Sequence, residues 1–252
     1  MIRLVLLMPI LLLLPAPAAA NMVLARSSGG FALTGYQEYN CPGPSAVTSC
    51  TPITATTVTN GHILLVMTSY CLATDCVQTS VNHVSSVGKS SGGATIGGSC
   101  TKLAGMPFGG GPVPINTEMW WCSVTGTGSI IPVVSYSGSV FYPYVGYVDI
   151  SGTSASPDDG AGNMNLTTGT SVTVALAGTL ASQAGELLVF SGFMATGNGA
   201  SASMSAGWTL FPGSSLFGYN PNGVLGANSV TVNWPSNGTS AIIGAIAALK
   251  HP

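Results

Sequence analysis

Charge is what this chain has least of. Five Lys and Arg and seven Asp and Glu make up 5% of its 252 residues, against about 25% in ordinary soluble domains. No cluster of basic side chains exists to neutralise phosphates, so nucleic acid is excluded as a partner. Long apolar runs are missing after residue 14, and the rest of the chain has no stretch of the ~20 residues that a spanning helix requires. Apolar recurrence at helical spacing over three turns is also lacking outside the N-terminal segment, which excludes a helical bundle.

What is present begins with a targeting pattern. Arg3 precedes the apolar run Leu4 to Leu14, and Ala18-Ala19-Ala20 supplies small residues for cleavage, so residues 1–20 read as a signal peptide cut near Ala20. No Cys follows the cut to carry a lipid. The mature chain is expected to be a secreted, periplasmic or cell-surface protein. It keeps four basic residues (Arg26, Lys89, Lys102, Lys250) against seven acidic ones. A surface made instead of Ser, Thr, Asn and Gly repels itself little. It suits a protein packed against its own copies, attached to a wall, or facing carbohydrate.

Six cysteines, Cys41, Cys50, Cys71, Cys76, Cys100 and Cys122, all lie in the first half. An even number behind a signal peptide reads as disulfides, although sequence leaves their connectivity open. Nearest-neighbour pairing is expected, closing short loops at strand ends. The alternative, a zinc site from Cys71, Cys76, His83 and Cys100, matches no common ligand spacing.

The chain writes one pattern twice. Val133-Val134-Ser135-Tyr136 and Tyr144 to Ile150 align with Val230 to Trp234 and Ala241 to Leu249 at an offset of 98 residues, placing Gly146 on Gly244. Each copy reads as two strands joined by a turn. A second echo joins Gly61 to Tyr70 with Gly185 to Gly192. Further strands are expected at 30–39, 53–59, 117–124 and 171–176, with 73–111 as an insertion and 151–169 as the connection between halves. Ala241 to Leu249 is assigned as strand over helix. These short strands and frequent turns predict an all-β fold, a two-sheet antiparallel β-sandwich of jelly-roll or Ig-like type. Residues 21–252 form one domain, with pseudo-repeat halves at 58–152 and 179–250. At Gly146 to Gly152, Gly185 to Val189 and Trp208-Thr209-Leu210 the chain resembles a broad set of secreted bacterial β-sandwich proteins, over most of residues 58–250; that resemblance implies a fold and no chemistry.

Sites are sought among residues that can act on or hold a ligand. Trp120, Trp121, Tyr142, Tyr144 and Tyr147 are dense for so uncharged a chain. Exposed, they would form a platform for sugar rings, and strand alternation sends Trp120 and Trp121 to opposite faces. Glycoside hydrolysis needs two carboxylates flanking the substrate, and Asp149 and Glu118 are the pair to consider. Asp158, Asp159, Asn163 and Asn165 gather oxygen ligands suited to calcium, without EF-hand spacing; no other cofactor is implied. Gly88-Lys89-Ser90-Ser91-Gly92 has the nucleophile-elbow spacing, but no helix follows and only His251 comes later. Asn165-Leu166-Thr167 and Asn237-Gly238-Thr239 are glycosylation sequons. The function expected is non-enzymatic: surface attachment, binding of a glycan or cell-surface polymer, or self-association. A secreted hydrolase and a structural coat or filament subunit are the alternatives.

Overall fold

A computed structural model describes residues 23–26, 30–41, 45–73, 76, 82–103, 115–160, 162–176, 184–195, 202–235 and 240–252. The signal segment 1–20 and the sequon at Asn237 lie outside them. Among the described residues there is no helix, and every strand pairing is antiparallel. Among those residues no helix is long and apolar enough to cross a membrane.

The first half holds β1 (Val23–Arg26), β2 (Ala32–Asn40), β3 (Val47–Cys50), β4 (Thr56–Val58), β5 (Ile63–Cys71), β6 (Val84–Ser91), β7 (Thr95–Lys102), β8 (Ile115–Thr125) and β9 (Gly128–Ser151). The second holds β10 (Asn163–Gly169), β11 (Ser171–Ala175), β12 (Leu187–Met194), β13 (Ser203–Met204), β14 (Thr209–Leu210), β15 (Phe217–Asn220), β16 (Ser229–Asn233) and β17 (Ser240–Leu249). They form sheets of nine, five and three strands, rather than the expected two sheets. The largest runs β1-β2-β9-β5-β8-β7, with β3, β4 and β6 also on β9; the others run β10-β17-β12-β15-β14 and β11-β16-β13.

Strand β9 explains the nine-stranded sheet. The two strands expected at 133–136 and 144–150 are one strand of 24 residues, bent where Tyr142 adopts φ 48°. Its first part pairs with β3, β4 and β6, and its second part with β2 and β5. Segment 73–111, read as an insertion, contains β6 and β7. Ser and Gly face outward there and only Val84 and Val87 of β6 are buried, so the apolar alternation is too sparse to announce a strand. Likewise the connection 151–169 ends in β10, whose exposed edge position needs little apolar content.

Alternation along the central strands feeds three cores. On β5, Ile63, Leu65 and Met67 enter a cluster shared with Val189 and Phe193 of β12 and Ile243 and Ala245 of β17. The intervening Leu64, Val66 and Tyr70 enter a second cluster with Val87, Val134 and Tyr136. Strand β12 divides in the same way, since Leu188 and Phe190 join Val172, Val232 and Trp234 in a third cluster. Thus each half has a core of its own, and the two halves share the first cluster.

The offset of 98 keeps its face on the earlier strand, where Val134 and Tyr136 correspond to Val232 and Trp234, each in the core of its own half. On the later strand it does not. A Cβ on Gly146 would meet Phe217, in the shared cluster, whereas one on Gly244 would meet Phe190, Val172 and Val174 of the third cluster. A shift of one residue turns a strand over, so Ala245, not Gly244, faces the shared cluster as Gly146 does.

The cysteines pair as expected, Cys41 with Cys50, Cys71 with Cys76 and Cys100 with Cys122, at Cα separations of 5.8, 5.1 and 4.3 Å. This arrangement does not assemble Cys71, Cys76, His83 and Cys100 into the alternative zinc set.

Candidate functional site

Glu118 is fully buried on β8, between β5 and β7. Its Oε1 accepts from the Tyr70 hydroxyl at 2.7 Å, the Val84 N–H at 2.8 Å and the Asn116 amide at 3.4 Å. Lys102 of β7 brings its ammonium to 3.0 Å from Oε2. Asn116 also donates to the Tyr70 oxygen at 2.9 Å. A carboxylate so enclosed is a structural anion: its charge is compensated by donors from three strands and the β6 backbone.

Asp149 is 2% exposed near the end of β9. Its Oδ2 lies 2.7 Å from His62 Nδ1 and accepts from the Thr34 hydroxyl at 3.1 Å. Burial pushes this carboxyl up from its ordinary pKa, and the His62 hydrogen bond and charge, Thr34 and the Thr59 N–H offset part of the rise. The His62 side chain keeps 28% of its surface in water. Asp149 therefore orients an imidazole that is partly open to water.

The two carboxylates are not brought together. Asp149 pairs with Leu64 across one edge of β5, and Glu118 with Thr68 across the other. Standard strand spacings put them roughly 13 Å apart along the sheet and roughly 10 Å across it. Glycosidase pairs stand about 5 to 9.5 Å apart around their substrate.

The aromatic residues divide. Trp120 and Trp121 are both half-buried and on opposite faces, Trp120 against the first half's own core and Trp121 against the shared cluster. Tyr142 and Tyr144 are half-buried at the margin of the shared cluster, where Tyr144 meets Phe193 at 6.1 Å and its hydroxyl accepts from the Asn40 amide at 3.1 Å. Tyr147, expected on the platform, is fully buried in the first half's core, with its hydroxyl bonded to the Thr54 carbonyl. It points away from Tyr144 because odd and even positions of β9 face different cores.

The calcium candidates are also distributed differently from the expected loop. Asp158 Oδ1 accepts the Gly160 N–H at 2.9 Å, an Asx turn. Asn163 and Asn165 lie on β10 and donate their amides to the Ala175 and Thr173 carbonyls of β11 at 2.8 and 2.7 Å. Those amides thus cover the outer edge of β10. No group of three potential His, Cys, Asp or Glu ligands is found among the described residues. The elbow-like Gly88 to Gly92 begins within β6, a strand, where the Ser90 hydroxyl donates to the Ile131 carbonyl at 3.1 Å; His251 contacts the Ala184 carbonyl instead.

Two polar groups escaped the sequence reading. One is His62 beside Asp149, which depends on the β5–β9 register. The other joins Tyr36 to Glu38: the Tyr36 hydroxyl donates to Glu38 Oε2 at 2.6 Å, and its ring stacks on Phe211 at 4.3 Å. Burial is the main cause raising the Glu38 pKa, while Ser214 and Tyr36 hydrogen bonds pull it down. The spacing of two along a strand was the available signal, since it puts Tyr36 and Glu38 on one face.

No protein-family model, curated protein or solved structure matches this chain.

Proposed function

We propose that the chain is a secreted, non-catalytic β-sandwich protein, built from two related halves, that attaches to carbohydrate on a cell surface or extracellular polymer. The observation that carries this reading is the fate of the carboxylates: Glu118 is enclosed by Tyr70, Val84, Asn116 and Lys102, well away from Asp149. Hydroxyl and amide groups line the exposed strand positions, with Lys89 of β6 an exposed cation among them. Tyr144 beside Asn40 provides a ring and an amide together, the combination that sugar rings stack on and hydrogen-bond with. The three disulfides support an oxidising compartment.

The test is retention of the purified protein on immobilised glycans and insoluble polysaccharides. Wild-type protein is expected to be retained, and Tyr144→Ala to weaken retention with little change in melting temperature. Absence of retention on every matrix would overturn the reading. One observation favours a second reading, hydrolysis: the partly exposed His62 held by buried Asp149 has the geometry of an oriented general base. Loss of a hydrolytic product in His62→Ala would support it.

A further inference from the structure

We infer that the bend in β9 is a binding site for neutral polysaccharide, with Tyr142 held in a strained backbone conformation so that Phe141, Tyr142 and Tyr144 form one aromatic platform. The inference rests on the attachment reading and names its binding residues. Before the bend, even positions of β9 enter the first half's core, as Val134, Tyr136 and Val140 do. After it, odd positions do so, as Val145 and Tyr147 show. The change of phase falls between them, where Tyr144 pairs with Ser69 and Phe141 with Cys71, three steps on β9 against two on β5. Strand β9 therefore carries an extra residue there, a bulge, and bulges re-aim side chains. Phe141, Tyr142 and Tyr144 are each half-buried on the margin of the shared cluster. Strict alternation would have sent Phe141 to the opposite face from the two tyrosines.

Glycine would make this bend without strain. Tyr142 instead sits at φ 48°, the left-handed conformation that brings Cβ close to the following carbonyl oxygen and that bulky residues seldom adopt. Cys76, the other non-glycine residue with positive φ among those described, is tied to Cys71 by a disulfide. No covalent tie of that kind holds Tyr142. A half-buried ring also has less packing to hold it in place than a core ring. Strain kept where glycine would remove it points to a use for the side chain itself.

The chemistry of the platform selects its occupant. Ring faces suit the C–H faces of a pyranose, and phenol and amide groups suit its hydroxyls. Tyr144 brings both, since its hydroxyl accepts from the Asn40 amide at 3.1 Å. The strand neighbours Asn40, Ser69 and Cys71 carry no charge. Neither do Phe193, Ala195 and Ala241 of the second half, which belong to or pack on the same cluster. His83 approaches β9 at Ser137, on the arm before the bend. These residues offer an acidic polymer no counter-charge. A second copy is a poorer occupant: three half-buried rings expose at most roughly 300 Å², against the about 800 Å² that each partner buries in a stable dimer.

The experiment measures retention on suspended microcrystalline cellulose, chitin and insoluble β-1,3-glucan, beside thermal melts of the same proteins. Wild-type protein should be retained by at least one matrix. Tyr142→Gly relieves the backbone but removes the ring, and should weaken retention ~10-fold or more. Tyr142→Ala should weaken it equally and melt below Tyr142→Gly, because alanine keeps the strain. Tyr142→Phe, which keeps the ring face, should be retained as the wild type is. Hydroxyl-radical footprinting of the wild type on its matrix needs no variant, and the peptide carrying Phe141 to Tyr144 should be protected. Undiminished retention of Tyr142→Gly, or no protection of that peptide, would overturn the inference and leave the attachment reading standing. Tyr142→Gly melting below Tyr142→Ala would remove the strain and the inference with it. Wild-type protein retained on none of the three matrices would overturn the inference, and failure on every glycan would remove the attachment reading as well. Self-association of the free protein that Tyr142→Gly abolishes would give the platform to a second copy and overturn the inference.

Discussion

Gly192 of β12 and Gly244 of β17 lie directly opposite each other, and the ring of Phe190 covers both. A Cβ on Gly192 would stand 2.6 Å from Phe190 Cζ, and one on Gly244 2.9 Å from Cε2. Phe190 is fully buried, so its ring has no open space to retreat into. Gly192→Ala and Gly244→Ala should each destabilise the protein by about 1 to 3 kcal/mol. Chemical denaturation checks this. The double variant should cost less than the sum of the two, because both substitutions displace the same ring.

Tyr147 and Tyr144 make a matched comparison on one strand. Tyr147 fills the first half's core, and its truncation to Ala should remove about 3 to 5 kcal/mol, the range for large aromatic deletions. Tyr144→Ala, at a half-buried position, should remove roughly 1 to 2 kcal/mol. Thermal melts of the two variants give the ranking.

Around Glu118 the prediction concerns charge. Glu118→Ala strips the acceptor from Tyr70 and the Val84 N–H and leaves Lys102 without the carboxylate 3.0 Å away. Breaking a buried ion pair from one side costs about 3 to 5 kcal/mol. Replacing both members, as in Glu118→Gln/Lys102→Met, should cost less than Glu118→Ala alone, measured by urea unfolding.

Glu38 sets a pH dependence. Its pKa is raised in the folded protein, first by burial, so the native state binds more protons than the unfolded state between the ordinary and the raised value. Stability should therefore fall as pH rises through that window, which opens at about pH 4. Asp149, also raised by burial, acts in the same direction. Glu38→Gln should flatten part of this slope, read from melting temperatures between pH 4 and 7.

Much of the fold was legible because core strands advertise themselves. Ile63 to Tyr70, Ser171 to Ala175 and Ala241 to Leu249 are all strands, and the cysteines take the expected nearest-neighbour pairing, which sequence alone leaves open. The β6 and β7 strands were not legible, since their Ser and Gly resemble loop composition and β6 buries only Val84 and Val87. That Gly146 and Gly244 face different clusters was hidden for a different reason: an alignment of Gly, Val and Ile matches residue types but is blind to which face they take. Sites suffered most. Trp120 and Trp121 divided between faces as alternation requires, yet the partner that defines Asp149 is His62, 87 residues away, and only strand register brings it there.

Attachment without catalysis is tested most directly by mixing the purified protein with an insoluble polysaccharide that retains it. Protein lost from solution and reducing ends released into it are followed in the same tube. Depletion of protein with reducing ends at the level of the protein-free control, unchanged in Asp149→Asn, is the expected result. Reducing ends that accumulate with time in the wild type and vanish in Asp149→Asn or His62→Ala would contradict it and make the His62–Asp149 pair catalytic.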